Sequence, residues 1–134
     1  MLVLVDTSAW SLLLRRDSPP QTPQIAVLRR LLEDGDRVAT TGVIVQELLH
    51  GFPSPAAQEA IATTFRALEY LTPTLDDHIA AAGLRNTLRA NGIQLGAIDA
   101  LIAHLAISRN AVLLTTDADF SHAARHSRLR VWEP

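Results

Sequence analysis

The sequence contains no cysteine and no lysine. Without cysteine there is no disulfide framework, and an intracellular, cytoplasmic protein is the expectation. All twelve basic residues are arginine, which excludes every mechanism that needs a lysine. Phosphoacceptor modules and aspartate-nucleophile phosphatases, which also place an aspartate after a first strand, fall on this ground. No Gly-rich phosphate loop is present, which argues against an NTPase. No apolar run approaches the roughly 18 residues needed to cross a bilayer. The amino terminus lacks a basic stretch, and Asp6 interrupts its apolar run too early for a signal peptide. Positive charge is not in excess either: the formal net charge is −2, so global charge gives no footprint for nucleic acid.

What is present is enough for one domain, taken as residues 1–134. With 48% hydrophobic and 19% charged residues, the chain is globular and long enough to bury a core. Leu2–Val5 reads as a fully buried strand, "TSAWSLLL" as a helix, and Gln24–Glu33 as a second helix. "RVATT" follows as a strand and "VIVQELLHG" as a helix stopped by Gly51. Pro55 starts another helix, and "YLT" is a short strand. A long helix follows, with a capping box at Thr74 and Asp77 and a stop at Asn91-Gly92. "AIDALIAHLAISRN" is strongly amphipathic through Ile98, Leu101, Ile102 and Leu105. "AVLLTT" is a fourth strand, a short helix covers Asp119–Ala124, and "LRVW" reads as a fifth strand. Strands that alternate with helices and lack period-two patterning imply an α/β fold: a mostly parallel five-stranded sheet flanked by helices.

In such sheets ligands bind beyond the carboxyl ends of the strands. Asp6 and Asp117 fall there, each directly after a buried strand. Glu47 lies inside an otherwise apolar helix, and Asp99 in the first turn of another. Each has a plain structural reading. Asp6 suits a helix cap, Glu47 suits solvent, and Asp99 is favoured by the helix dipole. Together they point elsewhere, because carboxylates gathered on one rim repel one another unless a cation intervenes. An all-oxygen set suits a hard divalent ion such as Mg²⁺ or Mn²⁺, and ions held this way promote phosphodiester displacement. Ser8 and Thr116, with Thr7, offer hydroxyls to orient the carboxylates, and Asp119 is a weaker acidic addition. Two helices separate the third and fourth strands, which leaves the position of Asp99 open. "NGIQLG" could span about 20 Å at roughly 3.3 Å per residue and return the chain across the sheet.

The motifs "LVDTSAW", "VIVQELLHG", "GAIDALIAHLAI" and "LLTTDADF", in that order and over essentially the whole chain, resemble those of PIN-domain ribonucleases. The likeness is specifically to the VapC toxins of type II (VapBC) toxin–antitoxin pairs. The resemblance implies a catalytic quartet of Asp6, Glu47, Asp99 and Asp117, with Asp6 and Asp99 as direct metal ligands. It also implies a Mg²⁺-dependent endoribonuclease, in which Mn²⁺ substitutes, acting on transfer or ribosomal RNA. A cognate VapB-type antitoxin and a homodimer are implied as well. The alternative is a catalytically silent PIN-like binding module. Arg15 and Arg16, at the end of the first helix, are the candidates for RNA phosphate contacts. His122 and His126 could share a helix face with Asp119, but no third soft ligand accompanies them. Nothing resembles a DNA-binding helix pair, so direct DNA binding is not expected. An antitoxin arginine would fit the acidic pocket, with apolar anchors docking near Trp10, Leu13 and Leu14.

Overall fold

A computed structural model describes residues 1–15 and 21–134. Its elements run β1 (Val3–Val5), α1 (Thr7–Leu13), α2 (Pro23–Glu33), β2 (Val38–Thr40), α3 (Gly42–Gly51) and α4 (Pro55–Arg66). They continue as β3 (Glu69–Tyr70), α5 (Leu75–Ala90), α6 (Ala97–Ser108), β4 (Val112–Leu114) and α7 (Ala118–Ala124). The strands form one sheet in the order β3-β2-β1-β4, and all three pairings are parallel. β1 and β2 are buried along their whole length, as expected for central strands covered on both faces.

The sheet has four strands among the described residues, not the five expected from sequence. The segment read as a fifth strand makes a single parallel bridge, Leu113 to Val131. Two hydrogen bonds hold it there, from Leu113 N–H to the Arg130 carbonyl and from Trp132 N–H to the Leu113 carbonyl. The apolar pattern of "LRVW" reflects a segment that meets β4 at one residue, with Leu129 buried, and no ladder continues from it. The third strand also begins one residue earlier than its sequence pattern suggests, at Glu69.

Capping residues fix where the helices start. Thr22 accepts from Ile25 N–H before α2, Ser54 from Ala57 N–H before α4, and Thr74 from Asp77 N–H before α5. The capping box read from Thr74 and Asp77 is complete. Gly92, at φ +79, takes up the left-handed conformation that ends α5. Trp10 is buried and meets Phe65 of α4 with ring centroids 4.7 Å apart. Leu13 and Leu14 are only partly buried against the core. α6 is buried nearly all round, from Ala100 to Ala103 and at Leu105 and Ala106. Ile98, grouped with its core residues by periodicity, is instead 42% exposed. The first turn of α6 carries it clear of the sheet, and a helix apolar on every side gives periodicity no face to select.

α5 and α6 pack as an antiparallel pair. Asp77, near the start of α5, is 6% exposed and accepts two hydrogen bonds from Arg109, just past the end of α6, at 2.6 and 2.8 Å. His104 Nε2 adds a 2.9 Å contact to the same carboxylate. At the other end Arg85 Nε donates to the Leu95 carbonyl at 2.8 Å, and Ile93 N–H to the Leu88 carbonyl at 2.9 Å. The loop between them is therefore a tight turn and not a crossing of the sheet. α6 then runs back to the amino end of β4, which leaves its own first turn, and Asp99, at the carboxyl end of the strands.

Candidate active site

β1 and β4 are neighbours in register, with Val5 opposite Leu114. Their carboxyl ends therefore deliver Asp6 and the Thr115–Asp117 turn to the same place. Asp6 N–H donates to the Leu114 carbonyl at 3.1 Å. Its side chain caps α1 by a long 3.4 Å contact from Ala9 N–H, so the capping role read from sequence is real. That role is minor beside the others. Ser8 Oγ donates to Asp6 Oδ1 at 2.7 Å, and Thr115 Oγ1 donates to Asp6 Oδ2 at 2.9 Å. Asp6 is 5% exposed, and burial pushes its carboxyl above the ordinary range. The hydrogen bonds from Ser8, Thr115 and Ala9 pull it back, and Asp117 pushes it up again.

Asp99 shows most directly that the acids converge. Its carboxyl is pushed up to about 6, first by burial and then by the negative charges of Asp117, Asp6, Glu47 and Asp119. Every acid singled out in the sequence thus lies within electrostatic reach of one group. Glu47, on the exposed side of α3, is tied to the start of α1 by Thr7 Oγ1, which donates to Glu47 Oε1 at 3.0 Å. Asp117 caps α7, with Asp119 N–H donating to Asp117 Oδ1 at 2.9 Å. Thr116 reaches the cluster through its backbone N–H, which donates to Ser8 Oγ at 3.0 Å. The hydroxyl that enters the cluster is that of Thr115, its neighbour, which sequence reading passed over. Strand geometry holds the missing signal: along a continuing strand, residues two apart share a face, and only one of two adjacent threonines can point at Asp6.

Among the described residues the ion pairs are Arg37–Glu69 and Arg109–Asp77, with His104 also in contact with Asp77, so none neutralises this cluster. Nor do three potential ligands already close on one point there. Among the described residues the arrangement is an open rim of carboxylates whose repulsion is uncompensated. That fits a hard divalent cation held by one or two carboxylates, with water and substrate phosphate completing its shell. Asp6 is buried, Asp99 and Asp117 are half-buried, and Glu47 and Asp119 are exposed.

Other candidates fare differently. Arg15 is exposed just beyond the end of α1, whose seven residues span about 10 Å at roughly 1.5 Å per residue and separate it from Asp6. Arg16 lies outside the described residues. α7 ends at Ala124, so His126 falls past its cap and does not continue the helix face of His122. Arg85 and Arg130 are engaged with backbone carbonyls at Leu95 and Asn110.

Residues 3–126 match the PIN domain family. This chain belongs to it. Within that family the PIN domain is 36% identical over 135 residues to the VapC ribonuclease Mb1587 of Mycobacterium bovis and to ribonuclease VapC11 of Mycobacterium tuberculosis. In both comparisons the match covers 96% of either chain, which places the protein among the VapC ribonucleases. A solved structure of VapBC-1 from nontypeable Haemophilus influenzae shares the architecture with a TM-score of 0.75 at 25% identity. It covers 99% of this chain and 98% of that one. The acidic rim of this PIN domain is the candidate active site.

Proposed function

We propose that the protein is the toxin of a type II toxin–antitoxin pair, an endoribonuclease that cleaves transfer or ribosomal RNA in the cytoplasm and depends on Mg²⁺, with Mn²⁺ able to substitute. The observation that carries this reading is the gathering of Asp6, Glu47, Asp117 and Asp119 around Asp99, with no ion pair to any of them among the described residues. Asp6 and Asp99 would hold the ion. When bound, it supplies positive charge to the phosphoryl oxygens and assists a water as nucleophile. Glu47 and Asp117 would orient the attacking water, and one of them would accept its proton. Ser8 and Thr115 fix the Asp6 carboxylate, and Asp119 adds to the field.

Charge chemistry also defines the inhibitor. A VapB-type antitoxin would insert an arginine into the rim, where a guanidinium fork can bridge two carboxylates. Its apolar anchors would lie against Leu13 and Leu14, since Trp10 is already committed to the core. A homodimer is part of the proposal, as is RNA contact by Arg15 and Arg16. A silent binding module has no use for a repulsive cluster with which no arginine among the described residues pairs.

Expression of the protein alone should arrest bacterial growth, and Asp6→Ala at equal protein level should relieve the arrest. Equal toxicity of the two would overturn the catalytic reading.

A further inference from the structure

Thr40, the last residue of β2, is fully buried, yet its Oγ1 has no hydrogen-bond partner among the described residues. A hydroxyl left in that state costs the desolvation of a polar group and gains no bond in exchange. Thr40 lines a cavity of about 390 Å³, within the roughly 300–1,000 Å³ of ligand sites. Val45 of α3, Ala62 and Phe65 of α4, and Leu68 form its apolar walls. Two exposed side chains complete the lining: Arg66 at the end of α4, and Tyr70, the ladder partner of Thr40 on β3. The Tyr70 hydroxyl stands over the start of α3, so close that a Cβ on Gly42 would meet it at 2.7 Å. Among the described residues no acid lines the cavity and no ion pair engages Arg66.

These features select a ligand. A hydroxyl that can both donate and accept suits the edge of a nucleobase. An aromatic ring at the mouth suits the face of that base, and a guanidinium suits a phosphate. An apolar anchor from a protein partner would fill the volume but leave Thr40 unpaired. Position agrees with chemistry. Leu4 pairs with Ala39, so Thr40 stands level with Val5, about 4.8 Å from the strand that leads into Asp6. Val45 and Glu47 are two residues apart on α3 and face different sides of it, one toward the cavity and the other toward the acidic rim. Between them lies the start of α3, which has no side-chain cap because Thr41 donates its hydroxyl to the Leu71 carbonyl. A phosphate passing from rim to cavity would meet those free N–H groups.

We propose that this cavity is a base-binding subsite of the ribonuclease. It takes one nucleotide of a single-stranded RNA segment near the scissile phosphodiester, with the base against Tyr70 and hydrogen-bonded to Thr40, and the phosphate toward Arg66. The proposal rests on the ribonuclease reading above, and it adds a base preference at one position flanking the cut.

Thr40→Val removes the hydroxyl and keeps the branching, Tyr70→Ala removes the stacking face, and Arg66→Ala removes the charge. Binding of each nucleoside 5′-monophosphate to the full chain is followed by NMR in EDTA, where no metal at the rim contributes. KM, kcat and the cut sites are measured on a cleaved RNA in Mg²⁺. The expected result is that at least one monophosphate shifts the resonances of Thr40, Ala62 and Tyr70. Tyr70→Ala should raise KM for RNA about 5–150-fold, the worth of a base–aromatic stack. Thr40→Val should raise it about 2–12-fold, the worth of one hydrogen bond. Each should change KM more than kcat and relax the base preference at a single position beside the cut. Thr40→Val should also raise the thermal midpoint of the metal-free protein, because a methyl replaces a hydroxyl that had no partner. Tyr70→Ala and Arg66→Ala alter exposed side chains, so they decide the matter should Thr40→Val fail to fold. RNA cut with unchanged KM and unchanged base preference by both would overturn the subsite and leave the ribonuclease reading standing. Variants that cut normally but escape inhibition by the antitoxin would overturn it too, by making the cavity an anchor for protein. Wild-type protein that cuts no RNA, while a monophosphate still shifts these resonances, would overturn the ribonuclease reading and reduce the cavity to a site for free nucleotide.

Discussion

Asp99 carries the electrostatic burden of the site, and this has a consequence for stability. Its folded-state pKa is raised to about 6 from an ordinary value of 3.8. A raised carboxyl favours the folded protein only while protonated, so its contribution is full below about pH 4 and is lost as pH rises through about 6. Above that, ionised Asp99 costs on the order of 1–2 kcal/mol after allowance for screening at a half-exposed group. Metal-free Asp99→Asn should therefore be more stable than wild type at pH 7.5 by that amount and no more stable at pH 4. Urea denaturation at the two pH values checks it; a substitution that destabilises at both would show that repulsion at Asp99 is not significant. Asp6, Asp99 and Asp117 could be singled out in the sequence because strand ends and helix first turns are short-range features, and Glu47 because it is an acid inside an otherwise apolar helix. Thr115 was not. It sits beside an identical residue, and only the fold decides which hydroxyl faces Asp6.

At the scale of elements, the α5–α6 pair is held by a carboxylate first recognisable only as a cap. Arg109 holds Asp77 well below the usual carboxylate range, aided by the Thr74 N–H and His104. A depressed carboxyl stabilises the fold fully above its unfolded value near 4 and loses that contribution as pH falls below it. Asp77→Ala should cost about 3 kcal/mol at neutral pH, since it strands Arg109 and removes half of the capping box. At pH 3 the gap between variant and wild type should narrow, and a pH-independent difference in urea would contradict the ion-pair account. The cap was visible because Thr74 and Asp77 are three residues apart; the pair was not, because Arg109 lies 32 positions from Asp77. The same contrast explains the ends of the elements. Asn91-Gly92 correctly marked the stop of α5, and Gly92→Ala should cost about 1 kcal/mol in thermal denaturation for forcing a side chain into its left-handed conformation. The apolar run at Leu129–Trp132 suggested a strand, but pairing is a long-range property and here extends to one bridge.

For the whole molecule, a parallel sheet explains why residues as far apart as Asp6 and Asp117 meet. Parallel strands put all their carboxyl ends on one edge, and the α5–α6 pair adds Asp99 without crossing the sheet. The alternation of strands and helices made this much readable beforehand. Under the proposed function, an acidic rim on a protein of net charge −2 would also set how it meets partners: RNA would approach only with cations present, while a cationic antitoxin segment would need none. Replacing every arginine and lysine in the carboxyl-terminal segment of the cognate antitoxin with alanine should therefore release RNA cleavage in a co-expressed complex. Unchanged inhibition would exclude occupation of the rim by a cation. The central claim, carboxylate-held metal cutting RNA, is tested most directly by mapping cleavage ends in bacterial RNA incubated with purified protein in Mg²⁺, in excess EDTA, and in EDTA later titrated with Mn²⁺, with Asp99→Asn alongside. The account requires discrete cuts in Mg²⁺, none in EDTA, their return with Mn²⁺, and none from Asp99→Asn; cutting undiminished by EDTA would contradict it.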